Sequence, residues 1–300
     1  MKLIPMNSRT QLTGVLSFSF RAMPRLSSLS TAIQTMKASP IANNLPSPRV
    51  ILLLASLAWL TTLIAAPADA YEENRNPLAH PIHSNDRPRP PVVDPGPAVP
   101  PAPVPSDAIV LFDGTGFDHW QSHKGEEVPW NLVDGAMQVV PGSGDILTRE
   151  RFGDVQLYIE FNLDPDSPGS GQSKSNSGVF FGPYEVQVLD SFENPAYPDG
   201  QAASIYGQYP PLVNASRAPG EWQSYNIIYR APRFQDGVAV EPARITVFHN
   251  NVLVQDSEPL IGPTSHNVRT HYQQHGDVPI RLQDHDDDPI LFRNIWLREL

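Results

Sequence analysis

The chain has no cysteine among its 300 residues. Disulfides, thiolate catalysis and thiolate zinc sites are therefore excluded, and so is a lipid anchor on an N-terminal cysteine. Any folded part must stand on its apolar core. Basic side chains are scarce, 21 Lys and Arg against 32 Asp and Glu. Residues 1–70 hold six of the basic ones (Lys2, Arg9, Arg21, Arg25, Lys37, Arg49) and one acid (Asp69), so residues 71–300 carry 15 basic and 31 acidic side chains, a formal net charge of −16. Such a surface repels nucleic acid and anionic lipid, which argues against a nucleic-acid partner and for a neutral or cationic ligand. A convincing amphipathic helix is missing too, as is any internal repeat that would suggest a propeller.

Long apolar runs are missing but for one, from Val50 to Ala66, broken by Ser56, Thr61 and Thr62. It ends in a small-residue pattern, Ala68-x-Ala70, with Lys37 and Arg49 upstream and no acid ahead of it. This reads as a bacterial-type secretory signal within residues 1–70. The leader ahead of it is long, which points to Met36 or Met23 as the start. The run is somewhat short for a membrane span, so cleavage and export to the periplasm or medium are expected, with no stable membrane insertion afterwards; an uncleaved signal would leave an N-terminal anchor.

Residues 71–105 contain eleven prolines. Proline removes backbone donors and favours extended chain, so this stretch reads as a semi-rigid linker or a processed tail. Residues 106–300 are then one domain by length. Their apolar runs are short and punctuated by Gly, Pro, Asn and Asp. Val155–Phe161 alternates over seven positions, and Asn226–Arg230, Arg244–Phe248 and Val252–Val254 follow. His249-Asn250-Asn251 favours a tight hairpin, because Asn tolerates positive φ. The reading is an all-β sandwich.

Two alternating segments carry the most information. In Tyr184-Glu-Val-Gln-Val-Leu-Asp190, Val186 and Val188 point one way, Glu185 and Gln187 the other. In Ile280-Arg-Leu-Gln-Asp-His285, Arg281, Gln283 and His285 alternate with Ile280 and Leu282. One apolar and one polar row per strand suggests a shallow site built on a sheet, which suits a sugar.

A family resemblance then comes into view. Leu111-Phe-Asp-Gly-Thr-Gly-Phe-Asp-His-Trp120 looks like the opening motif of the 3-keto-disaccharide hydrolase family. Trp130-Asn-Leu-Val-Asp-Gly-Ala136, Phe152–Phe161, Asn176-Ser-Gly-Val-Phe-Phe181 and Tyr184–Asp190 follow in the family's order. Ser204-Ile-Tyr-Gly207, Pro219-Gly-Glu-Trp222, Ile280–His285 and Phe292–Leu300 complete the match. The resemblance implies a concanavalin-like jelly roll of two antiparallel sheets and a substrate sugar with a ketone at C3. That ketone acidifies the C2 proton; its removal and loss of the C1 group would give a 2-hydroxy-3-keto-glucal, and water addition would complete net hydrolysis.

Such chemistry needs a base, an acid for the leaving oxygen and an electrophile for the enolate. His285 is the leading catalytic candidate, at the end of its strand beside Gln283; a surface histidine beside an acidic turn is the plain alternative. Glu185 is the second. Gln187, Gln283 and Glu160 are read as substrate-binding positions on the same kind of face. Asn176 and Tyr206 are read as partners of sugar hydroxyls, though each could cap a turn. Arg293 would polarise a carbonyl or pair with an acid. Asp190 is a further candidate, but strict alternation turns it to the Val186 side, so it needs a bulge or acts elsewhere. Trp120, Trp130 and Trp222 read as core rather than stacking platforms. Asp284, Asp286, Asp287 and Asp288 would suit calcium or another divalent cation, though acidic runs are more often solvated turns, so a divalent cation stays an open alternative and no cofactor is certain. Two rivals stay open: a retaining glycosidase using Glu185-x-Gln187-x-x-Asp190, and a non-catalytic carbohydrate-binding module.

Overall fold

The computed structural model describes residues 74–300 except 99, 102, 286 and 287. The expected signal segment lies outside the described residues. Among the described residues no helix is long and apolar enough to cross a membrane.

Fifteen strands follow in order: β1 Ile109–Phe112, β2 Trp120–Ser122, β3 Asn131–Val133, β4 Ala136–Gln138, β5 Ile146–Thr148, β6 Val155–Asn162, β7 Asn176–Phe181, β8 Tyr184–Leu189, β9 Gln223–Arg230, β10 Arg233–Gln235, β11 Val238–Glu241, β12 Arg244–His249, β13 Val252–Pro259, β14 Ile280–Leu282 and β15 Leu291–Glu299. Eight form one sheet, in the order β13-β12-β9-β6-β15-β4-β3 with β1 also on β15. Five form the second, β2-β5-β14-β7-β8, and β10 and β11 make a separate hairpin. The strand pairs within both sheets are antiparallel. This is the expected jelly-roll sandwich.

Alternation explains the layering. Leu157, Ile159, Phe161, Tyr225, Ile227 and Tyr229 turn inward from the large sheet and are buried. Val179, Phe181, Val186, Val188, Ile280 and Leu282 face them from the small one. The layers meet directly: the Phe181 and Tyr229 rings stack at 4.7 Å, and the Tyr225 hydroxyl donates to the Gln187 carbonyl at 2.8 Å. Each such aliphatic or aromatic burial stabilises by about 1.5–3 kcal/mol. Trp120 and Trp130 are core, as read, whereas Trp222 is only half-buried, with the Arg293 guanidinium over its ring. The hairpin between β12 and β13 turns on Asn250 and Asn251, with φ of 50° and 67°.

Residues 74–98 of the proline-rich stretch pack on the sandwich. Arg87 is buried and faces the buried Asp199 at 3.6 Å. Arg75 pairs with Glu258. Val92 forms a parallel bridge with Asn214. Proline leaves carbonyls without neighbouring donors, and the domain supplies them. Arg269 donates to Pro77 and His80 at 2.8 Å, Asn214 N to Pro91 at 2.9 Å, and Arg217 to Gly96 and Pro97 at 3.1 Å.

Candidate active site

The outer face of the five-stranded sheet carries the polar rows. β7 lies between β8 and β14, so the two informative segments are separated by one strand rather than adjacent. The register makes a small grid. Glu185 sits opposite Phe180, which sits opposite Arg281. One row on, Gln187 sits opposite Gly178, whose carbonyl accepts from Gln283 N at 3.2 Å. The third row starts at Asn176. Since side chains two residues apart share a face, Glu185, Gln187, Gln283 and His285 come together, as read. With Asn176 and Tyr206 they line one hollow of about 290 Å³.

Gly178 is the floor of the grid. A Cβ there would lie 2.5 Å from the Phe180 ring and 2.9 Å from Glu185 Oε1. The missing side chain lets the Glu185 carboxylate lie across β7. The loop after β8 closes one side. It adds to the free edge of β8 through Gln187 N to Ser204 O at 3.0 Å and Ala203 N to Gln187 O at 2.8 Å. This carries Tyr206 to the rim, where its hydroxyl meets Tyr197 OH at 2.7 Å and His266 Nδ1 at 3.0 Å.

Burial pushes the Glu185 carboxyl up to about 8; Arg281 pulls it back and Asp145 adds to the rise. Glu185 is therefore protonated at neutral pH, as an acid catalyst must be before the reaction. Burial also pushes the Tyr206 phenol up to about 12, so it remains a hydrogen-bond partner rather than an anion. Gln187 Oε1 and Gln283 Oε1 are buried without a hydrogen-bond partner among the described residues. An unpaired buried acceptor is costly, and a sugar hydroxyl would satisfy it. The Arg281 guanidinium lies 3.4 Å over the Phe180 ring and bonds Asp145, which fixes a positive charge in the wall. Arg281, Phe180 and His266 also line the hollow but were not assigned to the site from sequence. Arg281 was within reach of that reading, because it alternates with Gln283 and His285.

Three candidates are placed elsewhere. Glu160 and Arg293 face each other across β6 and β15 in the other sheet. Glu160 accepts from Arg293 Nε at 2.7 Å, Asn294 Nδ2 at 3.0 Å and Tyr158 OH at 2.9 Å, while Arg293 stacks at 3.7 Å on Trp222. Alternation shows only that Glu160 faces away from the core; two sheets give two such faces. Arg293 takes the pairing option. Asp190 falls just past β8 and is buried. It caps the turn through Phe192 N at 3.0 Å and pairs with Lys174 at 2.8 Å, so it does not line the hollow.

The described acids of the run after Gln283 accept hydrogen bonds from neighbouring segments. Asp284 accepts from Gly144 N at 2.7 Å, and Asp288 from Ser167 Oγ and Asn176 N at 2.9 Å each. Asp286 and Asp287 lie outside the described residues. Among the described residues no three His, Asp or Glu side chains converge as a metal would need, so no step is derived through a cation.

A solved structure of a glycosyl hydrolase candidate from Parabacteroides distasonis ATCC 8503 is 46% identical over 65% of this chain and 84% of that one, with a TM-score of 0.63. A second such protein from that organism is 20% identical over 65% and 94%, with a TM-score of 0.49. The curated proteins offer no match. The model of the 3-keto-alpha-glucoside-1,2-lyase-like domain matches residues 107–298, and the chain belongs to that family.

Proposed function

We propose that the chain cleaves 3-keto-glucosides by removing the C2 proton and eliminating the group at C1, with hydration of the product as a second step. Family membership supports a carbohydrate-active function, and the site's chemistry supports the finer reading. The observation that carries it is the pairing, in one hollow, of an imidazole with a carboxyl group that keeps its proton at neutral pH.

In this reading His285 takes the proton from C2, and electrons move toward the C3 oxygen. Arg281 holds positive charge in the wall where the enediolate develops. Collapse of the enediolate breaks the C1–O bond, and Glu185 gives its proton to the departing oxygen. Gln187, Gln283 and Asn176 hold the ring through its hydroxyls. For hydration the roles reverse: the Glu185 carboxylate takes a proton from water as its oxygen adds to C1, and His285 returns a proton to C2. Glu185 is the sole carboxylate among the described lining residues, and Asp190 points away. A retaining glycosidase needs two facing carboxyl groups about 5–5.5 Å apart, so that rival loses its support.

The test is product analysis by NMR in deuterated water, with a 3-keto-glucoside and its unoxidised parent as substrates. The expected result is deuterium at C2 of the product and no turnover of the parent. Binding without consumption, with or without added divalent ions, would leave a carbohydrate-binding module instead.

A further inference from the structure

We infer that residues 74–98 form a working wall of the site, with His83 as a positioning residue for Tyr206 and His266; this rests on the hollow being the sugar-cleaving site proposed above. The segment lies outside the family-matched residues 107–298, yet it ends an interaction chain that starts in the hollow. Tyr206 and His266 line the hollow. Tyr206 OH joins His266 Nδ1 and Tyr197 OH. The His83 ring stacks on Tyr197 at 4.0 Å and lies 4.9 Å from Tyr206 and 5.1 Å from His266. One imidazole from the segment thus backs three rings of the rim.

His83 is itself held by Asp199. That carboxylate is fully buried, and it accepts from His83 N at 3.0 Å and His83 Nδ1 at 3.2 Å while facing Arg87 at 3.6 Å. All of these partners come from residues 74–98, so a family-domain acid is satisfied by the segment. Because a carboxylate only accepts, the His83 proton sits on Nδ1 and the ring orientation is set. His83 Nε2 is buried without a hydrogen-bond partner among the described residues, so the ring acts here by shape and stacking. The approach is prepared by Gly207, at φ 70°: a Cβ there would meet Ser265 O at 2.9 Å and Ile82 Cγ2 at 3.3 Å. A bare residue next to Tyr206 lets the segment reach the back of the wall.

A wall set from behind governs how the sugar is held rather than how protons move. The full-length protein, His83→Ala and His83→Phe are compared with a nitrophenyl 3-keto-glucoside as substrate, and the His266 imidazole is followed by NMR without substrate. His83→Ala should raise KM by about fivefold to tenfold, the scale of one lost hydrogen bond, and leave kcat within about twofold. His83→Phe keeps the stack and loses the Asp199 bond, so it should recover part of the KM. The His266 signals should move in His83→Ala. An unchanged KM in folded His83→Ala, or a fall in kcat alone, overturns the proposal. The imidazole measurement separates the two readings. If the wild type leaves the 3-keto-glucoside untouched, the sugar-cleaving function fails; His266 signals that do not move upon substitution of His83 overturn the wall itself.

Discussion

Glu185→Gln removes one titrating oxygen and changes almost no volume, so its consequences follow from burial alone. Glu185 is 7% exposed and its carboxyl is pushed up to about 8, chiefly by burial. An unfolded chain releases that proton near pH 4.5, while the folded chain keeps it until about 8. Between those values this site binds more protons in the folded state, so its contribution to stability falls as pH rises through the window and levels off above it. At about 1.4 kcal/mol per pH unit, the loss is bounded near 5 kcal/mol, and relaxation and water entry reduce it to on the order of 2–4 kcal/mol. Gln cannot ionise and escapes this loss. Thermal unfolding at pH 5, 7 and 9 should therefore find the variant close to wild type at the acidic end and more stable at pH 9, by roughly 5–15 °C in Tm. Activity should go the other way, with kcat down about 10²–10⁴-fold on alkyl 3-keto-glucosides. The deficit should shrink on a nitrophenyl leaving group, which departs without protonation. A variant less stable than wild type at pH 9, or a variant-to-wild-type difference that does not grow across the window, would refute the burial argument.

Other expectations are more local. His285→Ala should keep affinity for the oxidised sugar, measured by calorimetry, and lose turnover by at least about 10²-fold; equal loss of both would mean that the imidazole holds the substrate rather than reacts. Gly178→Ala forces a Cβ against Glu185 and Phe180, and should cost about 1–3 kcal/mol with a larger fall in activity than in stability. If kcat and Tm both stay at wild-type values, Glu185 does not depend on that bare floor. Asp199→Ala strands the buried Arg87 and should destabilise by about 3–5 kcal/mol in urea unfolding, whereas a change below about 1 kcal/mol would show that the segment's clasp carries little energy.

Much of this was legible because the signals are periodic. Val186 against Gln187, and Leu282 against Gln283, sort themselves between core and hollow by alternation, and the structure follows it. What alternation cannot say is which sheet a strand joins. Glu160 obeys the same rule as Glu185 and reaches the far side of the sandwich, because pairing partners are set by long-range register. Nor does it say what happens past a strand's end, where Asp190 turns to cap its own loop. Residues 74–98 were hidden for another reason. Proline suggests extension, but whether an extended chain floats or docks depends on donors far away in sequence, here Arg217, Arg269 and Asn214. The available hint was charge: Arg75, Arg87 and Arg89 are concentrated in a short stretch of a chain poor in cations.

That concentration has a cost outside the site. Arg75, Arg87, Arg89, Arg217 and Arg269 are engaged in holding residues 74–98 in place, and they are five of the 15 basic side chains available after residue 70. The exterior is left with a strongly negative field that has little to offer an uncharged sugar. Arrival at the hollow should then be set by plain diffusion, and kcat/KM should barely respond to ionic strength.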